Sequence, residues 1–342
     1  MDRCSTMTSN ADPARSVSPG PRGLTKIVTT RALTGDQTAI IAQSAPGVTV
    51  VCPGSRDEMV LVLRGAEVLF CVWGGLSLDA GLIRAAADLR WIHVGSTGVE
   101  HILIPEVVES GIVVTNSRTV HAVAVAEHAL AILLALAKNM HRYHGNKMQR
   151  VWERYAMPLV RGSTAGIIGY GAIGRRVAAM ARALGMRVLA VRGRRASADT
   201  TASDRVYGPE GLLEVLAASD YVVVCVPLTP ATRNLIGRRE IEGMKNGACL
   251  INVSRGGIVD EDALAGALET GALRGAGFDV FAEEPLPATS RLWGLDSLII
   301  TPHVAGSRPD HLVALAEHFA GNLRRWIAGD EMLDVVDKRK GY

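Results

Sequence analysis

From Lys26 onward, short β-branched runs alternate with helix-length segments almost without interruption. Such alternation admits one class of architecture, a parallel sheet whose crossover helices cover both of its faces. A first set of candidate strands spans 26–30, 48–52, 67–72, 89–94 and 112–115, with helices expected near 35–44, 56–63, 78–87 and 104–110. A second set spans 164–168, 187–191, 221–226, 248–253, 275–278 and 298–301, with helices at 172–184, 211–217, 238–244 and 261–270. Six strands with intervening helices match a dinucleotide-binding sheet built from two mononucleotide halves. At 342 residues the chain is too long for one typical domain and suits two. The expected fold class is α/β, with two doubly wound parallel-sheet domains.

Between the two sets lies Ala122–Lys138, almost entirely Ala, Val, Leu and Ile apart from Glu127 and His128. It is too short and alanine-rich to read as a membrane span, and no apolar run approaches the roughly 20 residues that crossing a bilayer needs. A helix buried between domains, or in an oligomer interface, is the better reading. The polar stretch 138–161, with Trp152 and Tyr155 embedded in charge, reads as a loop or arm that packs on a partner. A last helix at 311–327 has nothing left to cover in the second set and can return to the first. The opening residues are rich in Ser, Thr, Pro and Arg without an apolar stretch, so a disordered tail or an upstream start-codon extension is expected there rather than a signal peptide or anchor. A net charge of +3 gives no electrostatic reason to expect nucleic acid or an anionic membrane as partner. Five cysteines, odd in number and without a CxxC, point to free thiols in a reducing cytoplasm. No metal site is expected: His141 and His144 stand three residues apart without a third ligand.

The segment Gly169-Tyr170-Gly171-Ala172-Ile173-Gly174 places G-x-G-x-x-G between a strand and a helix. Gly169 suits the tight turn, Gly171 lets backbone amides approach a pyrophosphate, and Gly174 lets helix and strand pack closely. The motif alone is weak, but its context here satisfies the requirement for a dinucleotide site. The next strand, in an NAD site, ends in Asp or Glu; this one ends in Arg192-Gly193-Arg194-Arg195. Arginine suits a phosphate, so Arg192 and Arg194 point to NADP(H), with NAD(H) still admitted if this is only a solvated turn.

Three further segments each follow a strand-like run: Ser254-Arg255-Gly256, Glu283-Glu284-Pro285-Leu286 and Pro302-His303-Val304-Ala305-Gly306. Strand C-terminal ends are where open parallel sheets bind ligands. An arginine, a carboxylate and an imidazole are thereby brought toward one small anionic carbonyl compound. Reducing a 2-oxo acid builds negative charge on the carbonyl oxygen and needs a proton donor, for which an imidazole beside a carboxylate is suited. A guanidinium matches a planar carboxylate and orients it.

In this order and spacing, these motifs, with Thr97-Gly98-Val99-Glu100 and Val125-Ala126-Glu127-His128, resemble the D-isomer-specific 2-hydroxyacid dehydrogenases, a family that includes glyoxylate/hydroxypyruvate reductases and 3-phosphoglycerate dehydrogenases. The resemblance runs from about Val68 to about Gly306. It implies that Arg255 binds the substrate carboxylate and polarises the carbonyl, that His303 is the acid–base residue, and that Glu284 is its partner, although adjacent Glu283 leaves room for a slip of one. It implies a substrate loop at Thr97, Gly98 and Val99, with Trp73-Gly74-Gly75 either walling the same cleft or serving as a plain turn. Cofactor positions implied are Ala172 and Ile173 at the pyrophosphate, and Pro227 and Thr229 beside the adenosine. Val253, Ser254 and Arg255 lie by the nicotinamide pocket, Asp279 at the carboxamide, and Gly306 in the loop after His303.

The same resemblance implies a flavodoxin-like substrate domain (24–119 plus 305–342), a Rossmann dinucleotide-binding domain (120–304) and a tail (1–23). The active site would lie in a cleft that closes by hinge motion, and a homodimer is expected through Ala122–Lys138 and the arm. The expected activity is NAD(P)-dependent reduction of a small 2-oxo acid such as glyoxylate or hydroxypyruvate. Two alternatives share the scaffold. Formate dehydrogenase is opposed by Glu284, where the resemblance expects a glutamine in that branch. A dinucleotide-sensing corepressor would use the cofactor for assembly rather than turnover.

Overall fold

The computed structural model describes residues 26–72, 74–193 and 202–342; the N-terminal residues expected to form a tail, Trp73, Arg194 and Arg195 lie outside them. The first sheet holds β1 (Lys26–Thr29), β2 (Thr49–Val51), β3 (Val68–Cys71), β4 (Trp91–Val94) and β5 (Val113–Asn116). All pairings are parallel, in the order β2-β1-β3-β4-β5, the flavodoxin-like winding. Its crossovers carry α1 (Gly35–Ser44), α2 (Arg56–Leu63), α3 (Ala80–Ala85) and α4 (Pro105–Val108). Each of α1, α2 and α3 opens on a Thr34, Ser55 or Asp79 side chain that accepts from a first-turn amide, which is why these starts are sharp.

The long apolar segment forms α5 (Arg118–Ala137), followed by α6 (Met140–Gln149) and the strands β6 (Thr164–Ile168), β7 (Arg187–Val191), β8 (Arg205–Tyr207), β9 (Tyr221–Val224), β10 (Ala248–Asn252), β11 (Leu273–Phe278) and β12 (Leu298–Ile300). They form a second parallel sheet ordered β12-β11-β10-β9-β6-β7-β8. Counted from β6, this is the Rossmann order with one further strand at the edge. Helices α7 (Ala172–Ala183), α8 (Leu212–Ala218), α9 (Arg238–Glu242) and α10 (Glu261–Glu269) cover it. The sheet thus has seven strands where the sequence pattern predicts six. The strand that the pattern misses, β8, is three residues long, Arg-Val-Tyr, with none of them buried, so it lacks the apolar run that marks a central strand.

Helix α5 is 20 residues long and, by length and composition, apolar enough to cross a membrane, longer than its apolar run suggests. Half of it is buried within this protein, packed on α7 and on strands β10 and β11. The packing is close because β11 presents Gly275 and Gly277: a Cβ on Gly277 would collide with Ile132, and one on Gly275 would sit 3.0 Å from Leu136. A Gly277→Val substitution is expected to cost about 1–3 kcal/mol through overpacking, read as a lower denaturation midpoint. An unchanged midpoint would show that α5 is free to shift.

The stretch after α5 is not simply a loop: its first ten residues are helical, between left-handed Asn139 and Arg150. Tyr155 returns onto this helix, its ring tilted against that of Tyr143 and lying under the Arg142 guanidinium at 3.7 Å. The end of the arm stays outside, with Trp152 93% and Leu159 74% exposed.

The last helix, α11 (His311–Ala328), packs on α1 and covers the first sheet. Leu315, Phe319, Leu323 and Trp326 join Ile27, Phe70 and Trp91 in one core, with Phe70 and Phe319 stacked at 4.4 Å. The chain beyond it bridges back to β5 through Val335 and Thr115. The loops after β4 and β10, at strand ends of the two sheets, thereby meet, with Arg255 reaching Glu100 and lying against Gly98.

Candidate active site

The loop after β10 carries Arg255. Asn252, 1% exposed, shapes it by accepting from the Ser254 amide and hydroxyl while donating to the Arg255 carbonyl. Gly256 is required here, since a Cβ would overlap the Phe281 carbonyl. That near-contact brings the Arg255 loop onto the Phe281–Glu284 turn. Glu284, in turn, accepts from the Phe281 amide at 2.9 Å and faces His303, its Oε2 lying 2.7 Å from Nδ1. Glu284, rather than Glu283, is therefore the partner of His303. Both members of the pair are about one-third exposed, open to the cleft.

His303 has φ +53°, a left-handed backbone that non-glycine residues adopt only when held. Asp279 does the holding. Its carbonyl accepts from the His303 amide at 2.7 Å, and its carboxylate accepts from the Val304 and Ala305 amides and the Thr301 hydroxyl. The side chain is 1% exposed. A carboxamide contact for Asp279 would come on top of these, so bracing the His303 loop is the role its geometry displays. His128 of α5 meets Thr301 at 3.0 Å behind this brace.

Across the cleft, the loop after β4 runs through Thr97, Gly98 and Val99. Asn116 holds the Thr97 carbonyl and Ser96 holds the Gly98 carbonyl, both at 2.7 Å. Val99 is 1% exposed and its side chain is core, so only its backbone is available to the cleft. Gly98 lies directly under Arg255: a Cβ there would collide with Nη2. Next to it, Glu100 accepts from Arg255 Nε at 2.7 Å, while Nη1 donates to the Ser254 carbonyl. Burial pushes the Glu100 carboxyl up, but the charge and hydrogen bond of Arg255 outweigh it and hold the group below its usual range. Burial lowers neighbouring His101, leaving it neutral at pH 7.

Beneath the loop, His93 is fully buried between Thr115 and Ser117, and burial keeps it neutral; it is a core residue. At the crossing segments, His121 reaches the Gly95 carbonyl and lies against Gly306, linking the two loops from behind.

The glycine turn fits a dinucleotide. Gly169 has φ +106° and sits so close to Cys225 that no side chain is possible, and a Cβ on Gly174 would collide with the Gly169 carbonyl. Gly171 faces open space and caps α7 with no side-chain hydrogen bond, so the amides of Ala172 and Ile173 are presented at a helix N-terminus. Beyond β7, Arg192 is fixed by its amide to the Tyr207 carbonyl. Arg194 lies outside the described residues. Pro227 and Thr229 form a turn closed by the Thr232 hydroxyl, next to β9. Val253 is 6% exposed and belongs to the core, so it too offers backbone rather than side chain. The C-terminal turn arrives at the same edge: Gly341 packs on Thr229.

Residues 130–305 match the sequence profile described as D-isomer specific 2-hydroxyacid dehydrogenase, NAD binding domain. The chain belongs to the D-isomer specific 2-hydroxyacid dehydrogenases. It is 35% identical over 286 residues to glycerate dehydrogenase from Methylorubrum extorquens, covering 80% of this chain and 86% of that one. It is 31% identical to D-3-phosphoglycerate dehydrogenase from Methanocaldococcus jannaschii, over 92% of this chain but only 60% of that longer relative. An NADPH-dependent glyoxylate/hydroxypyruvate reductase from Sinorhizobium meliloti, solved with NADP and sulfate, superposes with a TM-score of 0.80 at 26% identity, covering 93% of this chain and all of that one. The protein is therefore an NAD(P)-binding oxidoreductase acting on CH–OH donors.

Proposed function

We propose that this dehydrogenase reduces small 2-oxo acids, glyoxylate or hydroxypyruvate among them, with NADPH preferred over NADH. The observation that carries the reading is the convergence of Arg255, Glu284 and His303 on one cleft, opposite the amides of Thr97, Gly98 and Val99. The substrate carboxylate is received by Arg255 and the loop amides, and the C2 carbonyl is turned toward His303. Nδ1 of His303 is committed to Glu284, so the proton for the carbonyl oxygen passes from Nε2. Glu284 stabilises the imidazolium that donates it. The Gly169–Gly174 turn and the first amides of α7 hold the cofactor, which supplies the hydride when bound. The NADPH preference rests on Arg192 at the end of β7, where an NAD site would carry a carboxylate.

Kinetics with glyoxylate, hydroxypyruvate and longer 2-oxo acids, each with NADPH and NADH, test this directly. Turnover with kcat/KM higher for NADPH is expected. No oxidation of either cofactor by any 2-oxo acid would remove the reading, and an NADH preference would remove its cofactor part. We also propose a two-fold dimer that covers Trp152, Leu159 and Met148, all largely exposed in one chain. Sedimentation as a monomer at micromolar concentration would refute that assembly.

A further inference from the structure

The reduction accounts for Arg255, Glu284 and His303 but leaves Glu100 without a task. Glu100 and Arg255 stand 155 positions apart and come from opposite sides of the cleft, yet they form an ion pair at 2.7 Å. The pair uses a particular part of the guanidinium. Nε is taken by Glu100, Nη1 reaches the Ser254 carbonyl, and Nη2 is pressed against Gly98. A substrate carboxylate therefore cannot approach along the Nε side, where a fork-to-fork contact would otherwise form. It must come to the Nη side, next to the amides of the 97–99 loop.

We propose that Glu100 is a positioning and specificity-determining residue, which fixes the fork of Arg255 for one carboxylate and selects against substrates carrying a second anionic group. This rests on the reading of Arg255 as the carboxylate anchor. The selection follows from charge. With Arg255 neutralised by Glu100 and His101 uncharged, the anchor offers hydrogen-bond donors but little net positive field. One carboxylate is held by directed hydrogen bonds, whereas a phosphate a few bonds away adds negative charge to a half-buried cleft whose Arg255 cation is already shared between Glu100 and the substrate carboxylate.

The test compares hydroxypyruvate with 3-phosphohydroxypyruvate, which differ only by the phosphate ester, in wild-type protein and in Glu100→Gln and Glu100→Ala variants. Glutamine keeps an acceptor for Arg255 Nε and removes the charge; alanine removes both. The wild type is expected to favour hydroxypyruvate by about tenfold or more in kcat/KM. Glu100→Gln should raise the kcat/KM of the phosphorylated acid relative to that of hydroxypyruvate by about tenfold, whatever it does to hydroxypyruvate turnover itself. Glu100→Ala should raise KM for hydroxypyruvate by more than Glu100→Gln does, because only alanine removes the acceptor for Arg255 Nε. Wild-type preference for the phosphorylated acid, or a ratio unmoved by Glu100→Gln, would overturn the proposal while leaving 2-oxo acid reduction standing. Equal losses for both acids in both variants would reduce Glu100 to a structural residue and overturn it as well. If neither acid is turned over by the wild type, the reading of the site falls first and the proposal falls with it.

Discussion

A His303→Asn variant is expected to lose about 10²–10⁴-fold in kcat, the range for removing a positioned proton donor, while cofactor binding is unchanged. Asparagine is the informative replacement because of the backbone. His303 sits at φ +53°, and asparagine is among the few residues that enter this region readily. Its side chain still offers a donor toward Glu284, so the turn and its Asp279 brace are preserved. What is lost is the imidazole whose Nε2 gives the proton to the carbonyl oxygen. Steady-state kinetics with hydroxypyruvate, alongside titration of NADPH binding by fluorescence, separate the two effects. A kcat within a few-fold of wild type would take His303 out of the chemistry.

That backbone also shows where the sequence stops being readable. The central strands are legible because each is a short apolar run buried on both faces, as in β3, β6 and β10. The glycine turn and the Arg255, Glu284 and His303 segments are legible because each follows a strand-like run, although β12 ahead of His303 is only partly buried. β8 escapes because an edge strand of three residues, Arg-Val-Tyr with none buried, carries no such signal. Helix α6 escapes because it is mostly polar, buries no residue in this chain, and is held by Tyr143, Tyr155 and Arg142 rather than by a buried apolar face. Asp279 is visible as a residue at the end of a strand, but its brace on the His303 loop depends on amides 25 and 26 positions away. The Glu100–Arg255 pair has no sequence signature at all, since it exists only once two sheets face each other. Gly256 is readable as a motif glycine, yet its reason, the Phe281 carbonyl where a side chain would be, is purely tertiary.

An Arg255→Lys variant is expected to lose about a hundredfold in kcat/KM, mostly as a rise in KM. The charge survives, so the size of the loss measures geometry. Arg255 uses Nε for Glu100 and Nη1 for the Ser254 carbonyl, and its third nitrogen lies over Gly98 at the mouth of the substrate loop. A planar fork can hold those partners and still present an edge to a carboxylate; an ammonium on a flexible stem must choose among them. With Glu100 adjacent and ionised, the lysine is expected to settle on Glu100 and leave the substrate with the loop amides alone. Loss of one charge-assisted contact, roughly 1.5–3 kcal/mol, is the scale of a hundredfold effect. Pairing the substitution with Glu100→Gln sharpens the result: freed of its competing carboxylate, the lysine should recover part of the KM. Kinetics of Arg255→Lys indistinguishable from wild type would show that the loop amides, and not the guanidinium, anchor the acid.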